Sequence, residues 1–562
     1  MFRYDLRTRH YMTSFTTYFY LLTISIMFQS CHDNRKEADL IICNATIITL
    51  DSNDSYASCL AIHEGKIIAV GDDAELKRTY RAERTIDARG LFVYPGFIDA
   101  HSHFTGFAEF LRYADLDEAR SFEELLAIVD RYHSENPGQW IIGRGWDQNK
   151  WPGKEFPDNE MLDRLYPDIP VILSRVDGHA VLANQAAIRE AGLKEPFPAG
   201  EALKKNGRLT GIFLERTADK LKAAIPRPTP AGMARLIEHA ASLCHAAGLT
   251  GVNDAGIDKE MILLLDTLQK SGKLKMRVDA MINPTDENME YFMKAGGYRT
   301  ASLRVGSVKI YADGALGSRG ACLLKPYADD PSNYGIIVTD KTDITRICEK
   351  ARECGFQVNT HAIGDSAVRM VLGIYAQHLG GRNDHRWRIE HAQVVDEQDF
   401  ETFGAFSVIP SVQATHATSD MLWAPERLGS DRIRNAYAYR RLLLQNDWIP
   451  NGTDFPIENI SPVLTFYAAV ARKNLQGTPD GGFQPENALS RIEALKSITL
   501  WAAKAAFEEN NRGSIENGKM GDIVILDRNL LDIPEEDIPA ARVIYTILNG
   551  EVVYQRQLDE NR

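Results

Sequence analysis

Two histidines separated by one residue, His101 and His103, end the apolar run Pro95-Gly96-Phe97-Ile98-Asp99-Ala100-His101-Ser102-His103. On an extended strand that spacing puts both imidazoles on one face, ready to grip a metal ion. More residues of ligand or base type follow in order, each closing an apolar segment. Lys309 lies in Val308-Lys309-Ile310-Tyr311-Ala312-Asp313-Gly314, His361 in Asn359-Thr360-His361, His391 in Arg388-Ile389-Glu390-His391, and Asp454 in Asn451-Gly452-Thr453-Asp454. Taken singly, a strand-end histidine is more often a hydrogen-bonded structural residue than a ligand. The ordered set is what a hydrolase needs to hold one or two divalent metals over a water molecule. Imidazole and carboxylate donors suit zinc first, and also iron, cobalt, nickel and manganese. Metal binding brings a water's pKa towards neutrality, so that a metal-activated hydroxide becomes available. Asp454 is then expected as ligand and proton shuttle, taking the proton from the water and passing it to the leaving nitrogen. Lys309 is an inward lysine on an apolar strand, costly unless paired or modified. Carbamylation by CO2 would make it an anionic bridge between two metals; unmodified, it would pair with a neighbour such as Asp313.

Positioning such a set requires parallel strands with their C-terminal ends together. The sequence alternates short apolar runs with amphipathic segments, and eight strands are expected near 97–103, 250–256, 276–283, 304–312, 356–361, 386–391, 406–412 and 448–453. Helices such as 231–247 and 342–354 lie between them, the pattern of a parallel α/β structure. Barrel active sites gather at the C-terminal strand ends, where these histidines fall. The interval between the first two strands is too long for one crossover, so residues of about 105–228 read as an insertion. The flanks look different. Leu40 to Thr49 reads as a strand pair, Cys59 to Gly71 as a hairpin turning at Glu64-Gly65, and Gly513 to Ile515, Asp522 to Leu526 and Val543 to Tyr554 as further strands. Neither flank has enough apolar residues to fold alone. Residues 38–94 and 510–558 are therefore expected to build one composite β-sandwich, with the barrel, 95–509, between them.

A chain of 562 residues is too long for one simple core. At 44% hydrophobic and 25% charged residues its composition is that of an ordinary globular protein. The formal charge of -13, without a basic stripe, argues against nucleic acid as a partner. Seven cysteines with no CxxC pair indicate neither a disulfide scaffold nor a zinc ribbon. At the N-terminus an apolar run, Phe19 to Phe28, follows Arg3, Arg7 and Arg9 and ends at Ser30-Cys31. It is short for a membrane span and reads as a lipoprotein signal over residues 1–31, with Cys31 acylated and the enzyme tethered in the cell envelope. Met12 offers a second start for that signal. The alternative is a disordered leader or a mis-called start codon, and a cytoplasmic protein.

These motifs resemble the amidohydrolase superfamily, and more closely its amidohydrolase-3 branch of YtcJ-like and N-substituted formamide deformylase-like proteins. The resemblance runs from about Ala38 to Tyr554. It includes the accessory runs Gly143-Arg144-Gly145-Trp146-Asp147, Arg175-Val176-Asp177-Gly178-His179-Ala180 and Ala312-Asp313-Gly314-Ala315-Leu316-Gly317-Ser318-Arg319. It implies a distorted (β/α)8 TIM barrel with a composite β-sandwich, zinc or a related metal, and hydrolysis of a non-peptide C–N bond in a small amide such as an N-formyl or N-acyl amine. On this reading His101, His103, Lys309, His361, His391 and Asp454 are ligands. Asp177 and His179 reach over the barrel mouth, Trp146 and Asp147 form pocket wall, Arg319 meets a substrate carboxylate, and Gln413 and His416 face the mouth. A homodimer is one option for the assembly. Three rivals stand beside it. A mononuclear deaminase would want a glutamate near the fifth strand, where the segment after His361 offers Asp365 instead. A lactonase or esterase would use the same attack on a carbonyl. A surface-anchored binding protein would have no turnover.

Overall fold

The computed structural model describes residues 35–557 apart from Gln139, Asp177, Gly178 and Ala199. The leader with Cys31, and the expected contact residue Asp177, lie outside the described residues. At the centre is a parallel sheet of β1 (Phe97–Ser102), β2 (Leu249–Ile257), β3 (Arg277–Ile282), β4 (Leu303–Tyr311), β5 (Gln357–Ala362), β6 (Arg388–His391) and β7 (Ile409–Ser411), paired in that order. All residues of β1, β3, β6 and β7 are buried, as expected of strands covered on both faces. Register brings the strand ends level: Tyr311 pairs with His361, His361 with Glu390, and Ala362 with His391.

The eighth place is not a regular strand. Asn451 forms a parallel bridge to Val412, and the Ala100 amide donates to the Asn451 carbonyl at 3.4 Å, nearly closing the barrel. Two causes are local. Pro450 has no N–H to give to a ladder, and the Thr453 amide donates to the Asp99 carboxylate instead. Gly452 meets β1 so closely that a Cβ there would stand 2.4 Å from the His101 nitrogen, so only glycine fits.

The helices over the barrel start where the sequence provides caps. Pro230–Ala246 follows Thr229, whose hydroxyl accepts from the Gly232 amide, and has proline at its start. Lys341–Cys354 is capped by Asp340 and stopped by Gly355 at φ 69°. The insertion has its own six-stranded sheet, in the order Ala202–Lys205, Arg208–Leu214, Ala180–Ala183, Val171–Arg175, Ile141–Trp146, Ala114–Asp115. Its apolar residues form clusters separate from the barrel core.

The flanks pair across the whole chain, with Phe92–Pro95 running antiparallel to Ile523–Leu526. That six-stranded sheet also holds Thr46–Ile48, Tyr56–Ala57, Val543–Leu548 and Glu551–Gln555. A second sheet is built from Lys36–Cys43, Cys59–His63, Lys66–Gly71 and Tyr80–Asp87. Leu40, Ile42, Leu60, Ile62, Ile523 and Ile547 fill a common apolar cluster. The hairpin turns at Glu64 (φ 48°) and Gly65 (φ 74°). Two expectations need correction. The segment from Leu40 to Thr49 is not a strand pair, because a turn at Asn44 (φ 52°) sends its halves into different sheets. Gly513 to Ile515 is not a strand: the Ile515 amide donates to Thr49 and its side chain plugs the apolar cluster. Arg277 of β3 clamps this region to the barrel through two bonds to Asp522, at 2.5 and 3.0 Å, both side chains being buried. Among the described residues no helix is long and apolar enough to cross a membrane.

Candidate active site and metal centre

The C-terminal ends of the strands bring His101, His103, Lys309, His361, His391 and Asp454 together, joined by His416. Asp454 is the hub. Its Oδ1 stands 3.1 Å from His103 Nε2 and 3.5 Å from His101 Nε2, and its Oδ2 stands 3.5 Å from His416 Nε2. Ring centroids are 5.1 Å apart for His101 and His391, 4.5 Å for His361 and His391, and 5.9 Å for His391 and His416. Lys309 Nζ is 3.1 Å from His101 Nε2 and lies over the Tyr311 ring.

Backbone strain aims two of these groups. Strand alternation turns Arg388 and Glu390 to the same side, which would send His391 away from them. His391 instead adopts φ 74° and Ala392 φ 44°, so the ring swings back among the other histidines. Asp454 sits at φ 61°. Non-glycine residues in this region cost of order 1–3 kcal/mol each and persist where surrounding contacts enforce them. The enforcing contacts around Asp454 come from Asp99, whose carboxylate accepts from the His101 amide at 3.0 Å, the Thr453 amide at 3.1 Å and the Thr453 hydroxyl at 2.6 Å. Asp99 thereby pins the loop bearing Asp454 to the strand bearing His101.

Burial sets the charge states. It holds His101 down to about 4 and His361 to about 3, with the Lys309 charge adding to the effect, and drives His391 well below its usual value. These imidazoles are neutral at pH 7, as metal ligands must be. Burial alone would raise Asp454, but the His103 and His416 rings facing its two oxygens hold it well below the usual carboxylate range. Burial opposes charge on His416 too, yet Asp454 and Glu458, one at each ring nitrogen, push it up to about 10. Lys309 is lowered by burial to about 8.

The residues fit a metal. His361 Nε2, His391 Nδ1 and Asp454 Oδ1 are buried without a hydrogen-bond partner, a costly condition that a cation would relieve. Donor atoms of His101, His103 and Asp454 lie within 4.8 Å of one another. The outer nitrogens are held as ligands require: His103 Nδ1 faces the Ala255 carbonyl at 3.0 Å and His101 Nδ1 faces Glu390 at 2.6 Å.

Other expected contacts fall differently. Trp146 is fully buried in the core of the insertion, stacked on Trp151, and its indole N–H donates to the Leu173 carbonyl, so it is not pocket wall. Arg319 is engaged by Asp329 at 2.8 Å, which offsets the charge a substrate carboxylate would need. Asp313 does not pair with Lys309; its carboxylate accepts from the amides of Cys322, Ile363 and Gly364 and so braces the His361 loop. His179 is exposed and faces Glu215 at 3.2 Å. Gln413 is buried at the start of the helix carrying His416. Sequence reasoning missed Glu390, Arg388, Asp99 and Glu458. Glu390 and Arg388, both fully buried, form an ion pair at 2.8 Å behind His101. The available signal was two opposite charges, two residues apart, inside an apolar strand.

Comparison with known proteins agrees with this geometry. Residues 84–554 match the model of a family described as the amidohydrolase family. YtcJ of Bacillus subtilis (strain 168) is 31% identical over 525 residues, spanning 91% of this chain and 98% of the relative. An N-substituted formamide deformylase of Arthrobacter pascens is 26% identical over 549 residues, spanning 92% of this chain and 98% of its own. The crystal structure of an uncharacterized metal-dependent hydrolase from Pyrococcus furiosus superposes with a TM-score of 0.75 at 30% identity, covering 88% of this chain and 100% of the other. The fold is a distorted TIM barrel with additional domains, and the chain belongs to the amidohydrolase family as a metal-dependent hydrolase of C–N bonds.

Proposed function

We propose that the protein hydrolyses the amide bond of an N-acyl or N-formyl amine. In this reading His101, His103, Lys309, His361, His391 and Asp454 hold one or two divalent ions, zinc being preferred, and Asp454 also moves the proton. The observation that carries it is the setting of Asp454, a buried carboxylate with one oxygen facing His101 and His103 and without a hydrogen-bond partner. The deformylase relative supports the N-formyl class.

When bound, the metal supplies Lewis-acid polarisation of the carbonyl and acidifies a water molecule. Asp454 is ionised at neutral pH and accepts the proton of the attacking water. The same carboxyl, swung between His103 and His416, returns that proton to the departing nitrogen, which leaves as a neutral amine. His416, charged between Asp454 and Glu458, keeps the carboxylate anchored through its other oxygen. Burial lowers Lys309 to about 8, so its uncharged amine forms at little cost near neutral pH. That amine adds to CO2 and loses one proton, giving the carbamate that would replace a buried cation by an anionic ligand. For the leader we propose acylation of Cys31; lipid labelling lost in Cys31→Ala tests it.

The decisive variant is Asp454→Asn, assayed on N-formyl and N-acetyl amines. The rate should fall by ~10²–10⁴-fold or more while a competitive amide inhibitor still binds. Retention of the wild-type rate would sink the assignment.

A further inference from the structure

Two cavities fork at His103, of about 600 and 550 Å³, sharing His103, Gly106 and Glu109. The first is acidic, with Asp254, Asp258 and Glu260 against the single cation Arg227. The second is apolar along Phe110, Tyr113, Val176, Pro456 and Ile457, the last two lying just past Asp454 in the chain. At its insertion side stand Arg144, Ser174 and Arg175. Arg175 is committed to Asp147 at 2.7 Å and Gln148 at 2.8 Å. Arg144 is exposed and stacked 4.5 Å over the Phe110 ring, with no ion pair among the described residues. Glu109, the carboxylate of this lobe, has Arg112 at 3.6 Å.

The backbone places Arg144 by a specific device. Pairing between Ile141–Trp146 and Val171–Arg175 shifts register between Arg144 and Trp146, a bulge. A bulge re-aims side chains, and here it sends Trp146 into the core and Arg144 to the cavity. Glycines on both sides lock it. Gly145 sits at φ 102° with a Cβ position 3.1 Å from the Asp117 nitrogen, and a Cβ on Gly143 would meet Leu116 and Leu173 at 2.9 Å. The guanidinium is planar, pre-ordered by its stacking and open on the cavity side, the geometry that takes a carboxylate through two parallel hydrogen bonds.

We propose that Arg144 binds a carboxylate carried by the substrate, so that the preferred substrates are N-acyl or N-formyl amines bearing an acidic group, N-acylamino acids among them. This rests on the amide-hydrolase reading of the metal site. The acidic cavity on the other side of His103 repels the same carboxylate and fixes which way round the substrate lies.

The test is a matched pair, N-acetyl-L-phenylalanine and its neutral primary amide, on the full holoenzyme and on Arg144→Met and Arg144→Lys. Binding is measured by calorimetry on zinc-loaded protein, and hydrolysis by amine release. Wild type should bind the acid at least about tenfold more tightly than the neutral amide, and Arg144→Met should abolish that preference by raising Kd and KM for the acid alone. Arg144→Lys should recover part of it, since an ammonium keeps the charge and loses the fork. Equal affinity of wild type for the two ligands, or an equal loss for both in Arg144→Met, would overturn the proposal. Acid-selective binding without hydrolysis of either ligand would leave Arg144 in its role and count against the amide-hydrolase reading instead.

Discussion

Removal of the Glu390 carboxylate should cost stability and metal affinity together, because one side chain serves both Arg388 and His101. Glu390 Oε1 stands 2.8 Å from Arg388 Nε and Oε2 stands 2.6 Å from His101 Nδ1, and all three side chains are fully buried. Glu390→Ala therefore strands a buried guanidinium and frees the His101 ring. Taking one partner from a buried ion pair costs ~3–5 kcal/mol. An independent route gives a similar figure. Burial would raise the Glu390 carboxyl, but Arg388, His101 and Lys309 override it and hold the group at about 2 against an ordinary 4.5. That difference corresponds to about 3 kcal/mol of stabilisation at neutral pH. Because the folded value is the lower one, this contribution is present above 4.5 and is lost as pH falls from 4.5 towards 2. Metal affinity should fall by ~10–100-fold, since the acceptor that orients His101 is gone. Urea unfolding and zinc competition against a chromophoric chelator read the two effects. The double variant Arg388→Met with Glu390→Leu should regain most of the stability and none of the metal affinity, because an apolar pair can replace a buried ion pair but cannot hold His101. A Glu390→Ala protein within about 1 kcal/mol of wild type and with unchanged zinc affinity would refute the claim that this pair supports the site.

Other perturbations probe the parts separately. Asp522→Ala leaves buried Arg277 unpaired between the barrel and the β-sheets; unfolding measurements should show a loss of ~3–5 kcal/mol. Trp146→Ala opens a cavity in the insertion core and should cost ~3–5 kcal/mol with metal content unchanged by elemental analysis. Arg319→Met breaks a partly exposed pair with Asp329 and should change stability by less than about 1 kcal/mol and leave KM unaltered.

The barrel was legible because its strands are apolar, short and separated by amphipathic helices, and because five of the eight strand positions carry a ligand-type residue at or near the C-terminal end: His101 and His103, Lys309, His361, His391 and Asp454. The expected ranges 250–256 and 304–312 correspond to Leu249–Ile257 and Leu303–Tyr311. The eighth strand was less so, since its hydrogen bonds go to Asp99, a partner distant in sequence. His391 was found as a strand-end histidine, but the turn that brings it in is a left-handed backbone at a non-glycine residue, which no side-chain pattern encodes. Glu390 was hidden by its neighbour: it reads as one polar residue before a histidine, and its role follows only from contact with His101 across the barrel. Trp146 and Arg319 were read through their motifs, whereas tertiary packing and Asp329 decided their places. The leader, read from its apolar run, its preceding arginines and Cys31, lies outside the described residues.

The central claim is that these strand ends hold catalytic metal. Its most direct test is metal per chain, by elemental analysis of protein truncated before Cys31 and expressed with bicarbonate, alongside His101→Asn and Lys309→Ala. The account predicts about one to two equivalents in wild type, a lower content in Lys309→Ala, since Lys309 would be a ligand if carbamylated, and a marked loss in His101→Asn. Wild-type protein that takes up no metal after reconstitution, or variants that retain the full wild-type content, would contradict it.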